Sequence, residues 1–486
     1  MNEMPFFNSF DNLILLSDSY KYSHWKSYMP NTKYNYAYLE ARNGAKFNKT
    51  VMYGLQYILK RYLVGKVITK EKIDFAEAII DAHMGPGMFN RKGWDYILEK
   101  YDGYLPIKIK AVAEGTPVEV NNVMMTVENT DPNVPWLTNF LETILLQVWY
   151  PMTVCTLSRE EKIMIKDYLT KTADNMNNLD FCIQDFGFRG ATSVEAAMIG
   201  GSAHMVNFKG SDTVCALTLP MKYYNAELKD IPLIKTVDFV AKNMPAFSVS
   251  ATEHSIMTAR GEEGEWDVLE NIFKNNPDGV LSLVIDSYNY ERFIEVAGTR
   301  FKDTILNRNG VTVFRPDSGD PVGVSLRCLE LLEKYFGVER EITTEYGKFK
   351  LLNNKVRLLW GDGIDYYGMR DILFAMFNNL YSAANLACFG QGGGLLQKVD
   401  RDVQRFAFKS SAQFYDGEWH DVYKKPKDIT KASKRGRLAL IKENGKFKTI
   451  REEELGDKTN YLETVFENGK LLKEYTFEEV RKNAKV

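Results

Sequence analysis

Acidic and basic side chains follow several short apolar segments in the middle of the chain. Asp286-Ser287-Tyr288 comes after one such segment, and Arg315-Pro316-Asp317 comes after the next. An arginine can grip a phosphate through two N–H groups, and aspartates can hold Mg²⁺ through substrate phosphates or accept ribose hydroxyls. A cluster of acids at such positions would be expected around a small positive substrate or a metal, although for any single aspartate a helix cap is the better interpretation.

Two other segments add a histidine and a run of glycines. His254 lies between Glu253 and Ser255, and the sequence GQGGG (390–394) follows the last apolar segment. Consecutive glycines let backbone N–H groups approach a phosphate, and the start of a following helix adds a favourable dipole. Taken alone, a single histidine is more often structural, and a glycine run can equally be a flexible turn.

Aromatic and basic residues suggest further binding chemistry. Phe186, Phe188 and Arg189 follow the first apolar segment, where a planar ligand could stack on a ring; alternatively, one phenylalanine belongs to the core. A basic cluster follows the glycine run and includes Lys398, Arg401, Lys409, Lys424, Lys425, Lys431, Lys434, Arg435 and Arg437. Such a cluster is usually a solvated face, but it could also serve a polyphosphate or a nucleic acid.

The elements that would position these residues alternate between strand and helix. Helix-like sequence at 194–203, 291–306, 324–336 and 366–380 separates apolar segments that start roughly 25–45 residues apart, close to the length of a βαβ unit. The predicted strands are FCIQ (181–184), MVNF (205–208), AFSVSA (246–251), VLSLVI (280–285), VTVF (311–314), VRLLW (356–360) and LACF (386–389).

This alternation predicts parallel strands with right-handed crossovers. The predicted fold class is α/β, an irregular parallel β/α barrel of about seven strands, with an open doubly wound sheet as the alternative. Binding and catalytic groups collect at the carboxyl ends of parallel strands. The polar residues described above would therefore meet at one end of the barrel.

The two ends of the chain have a different pattern. Strand-like sequence occurs at 34–42, and 106–129 alternates apolar and polar residues around a Gly-Thr-Pro turn, whereas a long amphipathic helix is predicted near 136–150. LALIKENGKFKTI (438–450) predicts a hairpin with Asn-Gly at its turn. We expect residues 1–178 and 399–486 to form one discontinuous, sheet-containing α+β domain, with the barrel domain at 179–398.

Composition excludes several classes of function. The 486 residues include 62 Lys and Arg and 64 Asp and Glu, a net charge of −2, which argues against a dedicated nucleic-acid or anionic-membrane binder. No apolar run approaches the roughly 18 residues of a membrane span. No P-loop or N-terminal dinucleotide-binding glycine motif is present. Five scattered cysteines indicate reduced thiols in a cytoplasmic protein, without a disulfide framework or zinc site.

Ten blocks of sequence, in order, resemble the nicotinamide phosphoribosyltransferase family of type II phosphoribosyltransferases. They are LLSDSYKYSHWKSY (15–28), MYGLQYILKRYL (52–63), DFGFRG (185–190), VNFKGSDTV (206–214), ATEHS (251–255), DSY (286–288), RPDSG (315–319), GDGID (361–365), GQGGGLLQK (390–398) and KRGRLAL (434–440). The chain departs from the family in a short loop after Arg42, a long stretch at 224–245, and Gln391 in place of a smaller residue.

The resemblance implies an activity and its partners. Nicotinamide and phosphoribosyl pyrophosphate would give nicotinamide mononucleotide and pyrophosphate with Mg²⁺, a step of NAD salvage. The family forms homodimers with active sites at the subunit interface. ATP hydrolysis can be coupled through phosphorylation of the histidine that matches His254.

The resemblance also assigns roles to individual residues. Phe186 and the partner subunit's Tyr20 would enclose the nicotinamide ring, and Asp212 would accept a hydrogen bond from its carboxamide, which nicotinate could not donate. The catalytic group would comprise His254, Asp286, Arg315 and Asp317. The remaining substrate-binding residues would be Arg189, Ser282, Gly361, Asp362, Gly392, Gly393, Arg42, Arg401, Lys409, Lys424 and Lys431.

Three alternatives remain open from the sequence. A nicotinate phosphoribosyltransferase would share the fold, with Asp212 as the discriminating residue. A non-catalytic binding protein could use the same scaffold, although the complete set of polar residues argues against it. An aldolase-like barrel enzyme would need a Schiff-base lysine or a metal triad at the strand ends, and neither is evident in the sequence.

Overall fold

The computed structural model describes residues 11–225, 236–424 and 433–486. Within these residues the chain forms two compact units: 11–156, 222–225, 400–424 and 433–485 make the first, and 157–221, 236–399 and Val486 make the second. The division after Thr156 lies within a long helix, upstream of the domain limit at 178 that the sequence suggested. Part of the long stretch 224–245, together with Lys425 and Lys431, lies outside the described residues.

Strands are numbered along the chain. They are β1 (Tyr34–Ala41), β2 (Lys49–Val51), β3 (Ile107–Ala111), β4 (Pro117–Glu119), β5 (Asn122–Asn129), β6 (Ile183–Asp185), β7 (Gly210–Ser211), β8 (Ser250–Ala251), β9 (Asp278–Val284), β10 (Asn309–Arg315), β11 (Val338–Thr344), β12 (Gly347–Leu352), β13 (Val356–Trp360), β14 (Leu386–Gln391), β15 (Phe406–Tyr415), β16 (Glu418–Asp421), β17 (Leu438–Glu443), β18 (Lys446–Arg451), β19 (Glu463–Glu467) and β20 (Lys470–Leu471).

Helices are numbered in the same way. They are α1 (Leu55–Ile58), α2 (Lys70–Met84), α3 (Arg91–Tyr101), α4 (Leu137–Phe140), α5 (Glu142–Leu146), α6 (Trp149–Thr172), α7 (Val194–Met205), α8 (Thr218–Tyr223), α9 (Thr236–Lys242), α10 (His254–Met257), α11 (Glu265–Asn275), α12 (Tyr290–Ala297), α13 (Lys302–Asn307), α14 (Pro321–Phe336), α15 (Tyr366–Asn378), α16 (Gly393–Leu396) and α17 (Phe477–Ala484). None of the helices in the described ranges is both long and apolar enough to cross a membrane.

The second unit is built on a seven-stranded sheet in the order β7-β6-β14-β13-β10-β9-β8. Every neighbouring pair in it is parallel. Its two edges meet where Phe247, just before β8, forms a bridge to Gly210 of β7. The Phe247 N–H donates to the Lys209 carbonyl at 2.8 Å, and the Ser211 N–H donates to the Phe247 carbonyl at 3.1 Å. The sheet therefore closes into the predicted barrel.

Apolar burial fixes the register of the barrel strands. Phe314 of β10 and Leu358 of β13 are fully buried against Phe293, Leu329 and Leu373 of the surrounding helices. Burying one such side chain contributes about 1.5–3 kcal/mol. A shift of one residue would turn these side chains to the opposite face, so the positions of the strand ends are strongly specified.

Helix caps accompany several strand ends. The Asp320 carboxylate accepts a hydrogen bond from the Gly323 N–H at the start of α14, where Pro321 occupies the first turn. Asp365 caps α15 by accepting from the Tyr367 and Gly368 N–H groups. For Asp320 and Asp365, therefore, the helix-capping interpretation is correct.

The first unit contains an antiparallel sheet in the order β16-β15-β1-β5-β3-β19-β20. Strands from the amino-terminal part, β1, β3 and β5, thus share one sheet with strands from the carboxyl-terminal part. The predicted hairpin at 438–450 is present as β17 and β18. Its turn residues Asn444 and Gly445 have φ values of 52° and 77°, as a two-residue hairpin turn with Asn-Gly requires.

Three predictions about elements were wrong, and one pair of strands was not predicted. MVNF (205–208) is the end of α7 and a turn, and the strand is the following Gly210–Ser211, because a short apolar run fits a buried helix as well as a strand. The helix predicted near 136–150 is divided into α4, α5 and the start of α6, and that at 291–306 is divided into α12 and α13. The antiparallel pair β11 and β12, inserted before β13, was not predicted.

Candidate active site

A cavity of about 630 Å³ lies inside the barrel of the second unit. Phe186, Asp212, Ser248, Ser282 and Arg315 line it. Four of these residues belong to the set predicted from the sequence, and they come from separate strands or from the loops that follow them. The barrel therefore brings an aromatic ring, a carboxylate, hydroxyls and a guanidinium to one enclosed space.

The ring of Phe186 is held against a strand that has no side chain at the point of contact. A Cβ atom on Gly390 would lie 2.2 Å from the ring, closer than any real contact. The Phe186 N–H donates to the Gln391 carbonyl at 2.9 Å, and the Arg315 guanidinium carbon lies 6.0 Å from the ring centroid. Phe188 is 40% exposed, whereas Phe186 is partly buried and packs against the apolar cluster of Val313, Leu359 and Cys388.

A buried carboxyl group, Asp185, fixes the two loops that carry Phe186 and Asp212. One carboxylate oxygen accepts the Gly187 N–H at 2.8 Å, and the Asp185 carbonyl accepts the Asp212 N–H at 3.0 Å. Burial raises the pKa of Asp185 to about 6. Asp185 therefore holds the loops of Phe186 and Asp212 in place through these hydrogen bonds.

Asp212 lines the cavity and is exposed to solvent. The Ser248 hydroxyl donates to its Oδ1 atom, which fixes the orientation of the carboxylate. A carboxylate in this position can accept further hydrogen bonds but cannot donate one. It favours a ligand that presents N–H groups.

His254, Asp286 and Asp317 form a connected group at the ends of three strands. His254 Nε2 lies 3.3 Å from Asp286 Oδ1, and Asp286 Oδ2 accepts the Asp317 N–H at 3.0 Å and the Ser318 hydroxyl. The Asp286 side chain is 6% exposed and the His254 side chain 49%. Asp286 therefore positions an imidazole that remains open to solvent.

The acid beside His254 in the sequence has a different role. Glu253 accepts a hydrogen bond from the Ser255 hydroxyl. The carboxylate that faces the imidazole is Asp286, which lies on a neighbouring strand end. Adjacency along the chain thus gave no information about which acid orients the ring.

Arg315 is anchored at one end of its guanidinium. Its Nη2 donates to the Thr252 carbonyl at 2.6 Å, while its Nε atom is buried and has no partner among the described residues. Asp317, two residues further on, has its Oδ1 atom 3.4 Å from the position of a Cβ on Gly361. The arginine and the carboxylate therefore lie at the same rim as the glycine turn after β13.

The second glycine turn, which contains Gly392 and Gly393, leads into α16. A Cβ on Gly394 would lie 2.4 Å from the Ile364 carbonyl, so the turn packs closely against the loop that contains Asp362. The side chain of Gln391 points away into the core, where its Nε2 donates to Glu161 at 2.7 Å. The family departure at Gln391 thus leaves the glycine backbone accessible.

Arg189 lies on an exposed turn, Phe188–Gly190, beside these loops. The Gln397 side chain donates from Nε2 to the Gly187 carbonyl at 3.1 Å and links this turn to the end of α16. The exposed guanidinium is thus supplied by a loop that the surrounding backbone fixes at its base.

The other predicted residues that the structure describes belong to the first unit. Burial first, and then the positive charges of Lys424, Arg42 and Arg401, lower the pKa of Lys409, against an opposing effect of Glu142. Tyr20 is 56% exposed on the short turn Ser19–Tyr22. Lys431 falls in a part of the chain that the structure does not describe.

No cluster of three or more His, Cys, Asp or Glu side chains in the described ranges could hold a metal ion. No disulfide joins the cysteines, and burial raises the pKa of the Cys388 thiol in the cavity wall.

Three residues of the site were not predicted from the sequence. Ser248 carries no distinguishing pattern, and Asp185 begins the block DFGFRG but received no role of its own, because both act through hydrogen bonds to other strands. Gln184 also lines the cavity, and it could have been noticed as a polar residue at the end of the apolar segment FCIQ. Burying an amide inside a barrel costs free energy unless the amide is hydrogen-bonded, so a polar residue at this position points to a binding role.

Comparison with known proteins identifies the family. The family model for the nicotinamide phosphoribosyltransferase N-terminal domain matches residues 12–109, and that of the nicotinate phosphoribosyltransferase (NAPRTase) family matches residues 181–470. A nicotinamide phosphoribosyltransferase of Xanthomonas campestris pv. campestris (strain 8004) is 42% identical, over 98% of this chain and 98% of its own. The chain belongs to the nicotinamide phosphoribosyltransferase family.

A more distant relative agrees with this assignment, and one solved structure shares the fold. A nicotinamide phosphoribosyltransferase of Acinetobacter baylyi (strain ATCC 33305 / BD413 / ADP1) is 29% identical, over 96% of this chain and 95% of its own. The crystal structure of a nicotinate-nucleotide pyrophosphorylase from Pyrococcus furiosus is similar in fold, with a TM-score of 0.59 at 15% identity, covering 100% of this chain and 97% of that one.

Proposed function

We propose that the protein transfers the 5-phosphoribosyl group of phosphoribosyl pyrophosphate to nicotinamide, as a step of NAD salvage. The bond from the anomeric carbon to pyrophosphate breaks, and the lone pair of the pyridine nitrogen forms the new bond to that carbon. The products are nicotinamide mononucleotide and pyrophosphate. The observation that carries the proposal is the convergence of Phe186, Asp212 and Arg315 on one barrel cavity, in a chain of this family.

The cavity can orient the pyridine ring. Phe186 offers a flat face for stacking, and Asp212 can accept a hydrogen bond from the carboxamide N–H. Fixing the ring at both points would aim its nitrogen at the anomeric carbon. Such positioning lowers the free-energy barrier of the transfer step. The ring has already lost its rotational and translational entropy on binding, so this loss adds nothing to the barrier.

The rim of the cavity can stabilise the charges that separate. As pyrophosphate leaves, positive charge develops on the ribosyl group, close to the Asp317 carboxylate, and negative charge leaves with the phosphates. Arg315 and Arg189 can bind those phosphates, and the glycine turns at 361 and 392–393 can receive the 5′-phosphate through backbone N–H groups. Fixed charges of this kind favour the transition state over the bound substrate.

The proposal includes partners that the family resemblance suggests. Mg²⁺ would bind through the substrate phosphates with Asp317 as a protein ligand and neutralise part of the pyrophosphate charge. We propose that the chain acts as a cytoplasmic homodimer, in which Tyr20 and the basic group of Arg42, Arg401, Lys409, Lys424 and Lys431 serve the partner's site. A molar mass in solution of twice 55.8 kDa is the measurement that supports a dimer.

ATP would act through His254. Because Nε2 faces Asp286, the other ring nitrogen, Nδ1, is the one that can attack the γ-phosphorus of ATP. The phosphorus–oxygen bond to ADP would break, ADP would leave, and water would later hydrolyse the phosphohistidine. The test is His254→Ala: we expect loss of ATP-stimulated turnover with little change in nicotinamide affinity, and equal stimulation in both proteins would contradict this role.

The first experiment is an assay of the purified chain. Nicotinamide, phosphoribosyl pyrophosphate and Mg²⁺ are expected to yield nicotinamide mononucleotide, detected by mass. Absence of the mononucleotide, with and without ATP, would reject the enzymatic proposal and leave the non-catalytic alternative.

Asp212→Ser tests the choice between amide and acid. Loss of the carboxylate should weaken nicotinamide use by about tenfold and allow some use of nicotinate, because the repulsion of a second carboxylate is removed. Competition between the two substrates measures the preference directly. An unchanged preference would reject the role of Asp212 in selecting the amide.

A further inference from the structure

Three buried polar atoms in the wall of the barrel cavity have no hydrogen-bond partner within the described chain. They are Gln184 Oε1, Ser282 Oγ and Arg315 Nε. All three residues line the same cavity as Phe186 and Asp212. Buried polar atoms are almost always paired, with protein, water or a ligand. These three atoms are therefore the ones in the cavity wall that a bound ligand can pair with.

Gln184 is the one of these three whose presence neither the fold nor the family resemblance explains. It lies on β6, two residues before Phe186, and is only 9% exposed. The neighbouring wall is apolar and is formed by Val313, Leu359 and Cys388. An amide buried in such surroundings costs free energy unless a ligand or another group pairs with it.

The orientation of the Gln184 amide leaves its oxygen for the ligand. A Cβ on Gly210 would lie 2.7 Å from Gln184 Nε2, so the amide nitrogen packs toward β7. Oε1 is the atom without a partner. An amide oxygen can only accept hydrogen bonds, so the complementary ligand group is an N–H donor.

We propose that Gln184 is a specificity-determining residue that accepts the second N–H of the nicotinamide carboxamide. This inference rests on the proposed function. The carboxamide has two N–H donors and one carbonyl acceptor: Asp212 and Gln184 provide two acceptors, and the Ser282 hydroxyl provides a donor for the carbonyl. The set matches an amide completely and opposes a carboxylate, whose second oxygen would face the oxygen of Gln184.

The test compares nicotinamide with 3-acetylpyridine, in which a methyl group replaces the NH₂ and the carbonyl remains. Dissociation constants of both are measured by calorimetry for the wild-type chain and for Gln184→Met, which keeps the side-chain length without the amide oxygen. We expect the preference for nicotinamide to fall about tenfold in Gln184→Met, the effect of losing one buried hydrogen bond. An unchanged preference would overturn the proposal.

Two further variants separate this role from a structural one. Gln184→Glu keeps an acceptor at the same place, so it should keep nicotinamide binding and weaken nicotinate binding; a loss of nicotinamide binding would mean that the nitrogen of the amide matters, against the proposal. Ser282→Ala should weaken both pyridines and leave their ratio unchanged, because both carry the carbonyl. A changed ratio would contradict the assignment of the three groups.

The design also separates this inference from the proposed function. If the wild-type chain forms no mononucleotide, the proposed function fails, whatever Gln184→Met shows. If it forms the mononucleotide but does not prefer nicotinamide to 3-acetylpyridine, the proposed function stands and the assignment of acceptors to the carboxamide N–H groups fails. If the wild-type chain passes both measurements, a failure can concern only Gln184. Should Gln184→Met lack a cooperative thermal transition, the Gln184→Glu comparison decides the question by itself.

Discussion

At the scale of single residues, the site depends on one missing side chain. Gly390 allows the Phe186 ring to lie against β14, and a Cβ atom would come within 2.2 Å of it. Gly390→Ala should therefore displace the ring and raise the KM for nicotinamide about tenfold, with a smaller effect on the KM for phosphoribosyl pyrophosphate. Steady-state kinetics with each substrate varied measures both values. Equal increases in the two would contradict a local effect on the ring.

The sequence identified which residues could do chemistry but could not assign each one its role. Asp286, Asp317 and Asp320 are all aspartates near strand ends, and the sequence does not distinguish them. In the structure, Asp286 orients His254, Asp317 lies beside Gly361, and Asp320 caps a helix. These roles depend on distances between strand ends that no local pattern encodes. Gln184 was not predicted for a related reason. That its Oε1 atom is buried without a hydrogen-bond partner can be known only from the three-dimensional structure of the cavity.

At the scale of elements, α14 depends on its first turn to follow β10 directly. Asp320 caps the helix through the Gly323 N–H, and Pro321 presets the backbone of the first turn. Asp320→Ala should lower the free energy of unfolding by about 1 kcal/mol, whereas Asp320→Asn should keep nearly all of it, because asparagine is an equally good cap. Urea denaturation of the three proteins gives the comparison. An Asn variant as unstable as the Ala variant would argue against capping.

Some elements were predicted well because a local signal marks them, and others were not. VRLLW (356–360) coincides with β13, and Asn444-Gly445 marks the turn between β17 and β18 because only residues that tolerate positive φ suit it. MVNF (205–208) failed because Met205 completes α7, and the Asn207 and Phe208 N–H groups donate to the His204 carbonyl. The β11–β12 pair could not be predicted from the strand–helix alternation, which it interrupts.

At the scale of the whole molecule, the ionisation of one buried carboxyl group affects folding. Burial raises the pKa of Asp185 to about 6, above the value of about 3.9 in an unfolded chain. The folded state therefore binds the proton more tightly, and this contribution to stability is complete below about pH 4 and is lost as pH rises through about 6.

Asp185→Asn should remove that dependence on pH. The unfolding free energy of the variant relative to the wild-type chain should rise by about 2 kcal/mol between pH 4.5 and 7.5, whatever the constant difference between the two proteins. Urea denaturation at several pH values measures it, and each comparison is made at equal pH so that other titrating groups cancel. If the difference in unfolding free energy between the two proteins stays constant with pH, the pKa of Asp185 in the folded chain is not raised to about 6.

The global architecture was predictable in outline. Repeated strand and helix segments predict a parallel sheet, and the strand-like ends predict the sheet that β1 and β15 now share. The place where the barrel closes was not predictable, because Phe247 and Gly210 join through backbone atoms and not through any side-chain pattern.

That closure has a consequence for how the pyridine is captured. The joint at Phe247 consists of two backbone hydrogen bonds, and the segment that makes it carries Ser248 and continues directly to His254. Transient opening of these hydrogen bonds would move two groups at once. They are the Ser248 hydroxyl, which orients Asp212, and the His254 imidazole. Binding of the pyridine and formation of the two backbone hydrogen bonds at Phe247 are thus linked equilibria. A pyridine that binds the closed barrel stabilises those hydrogen bonds by mass action.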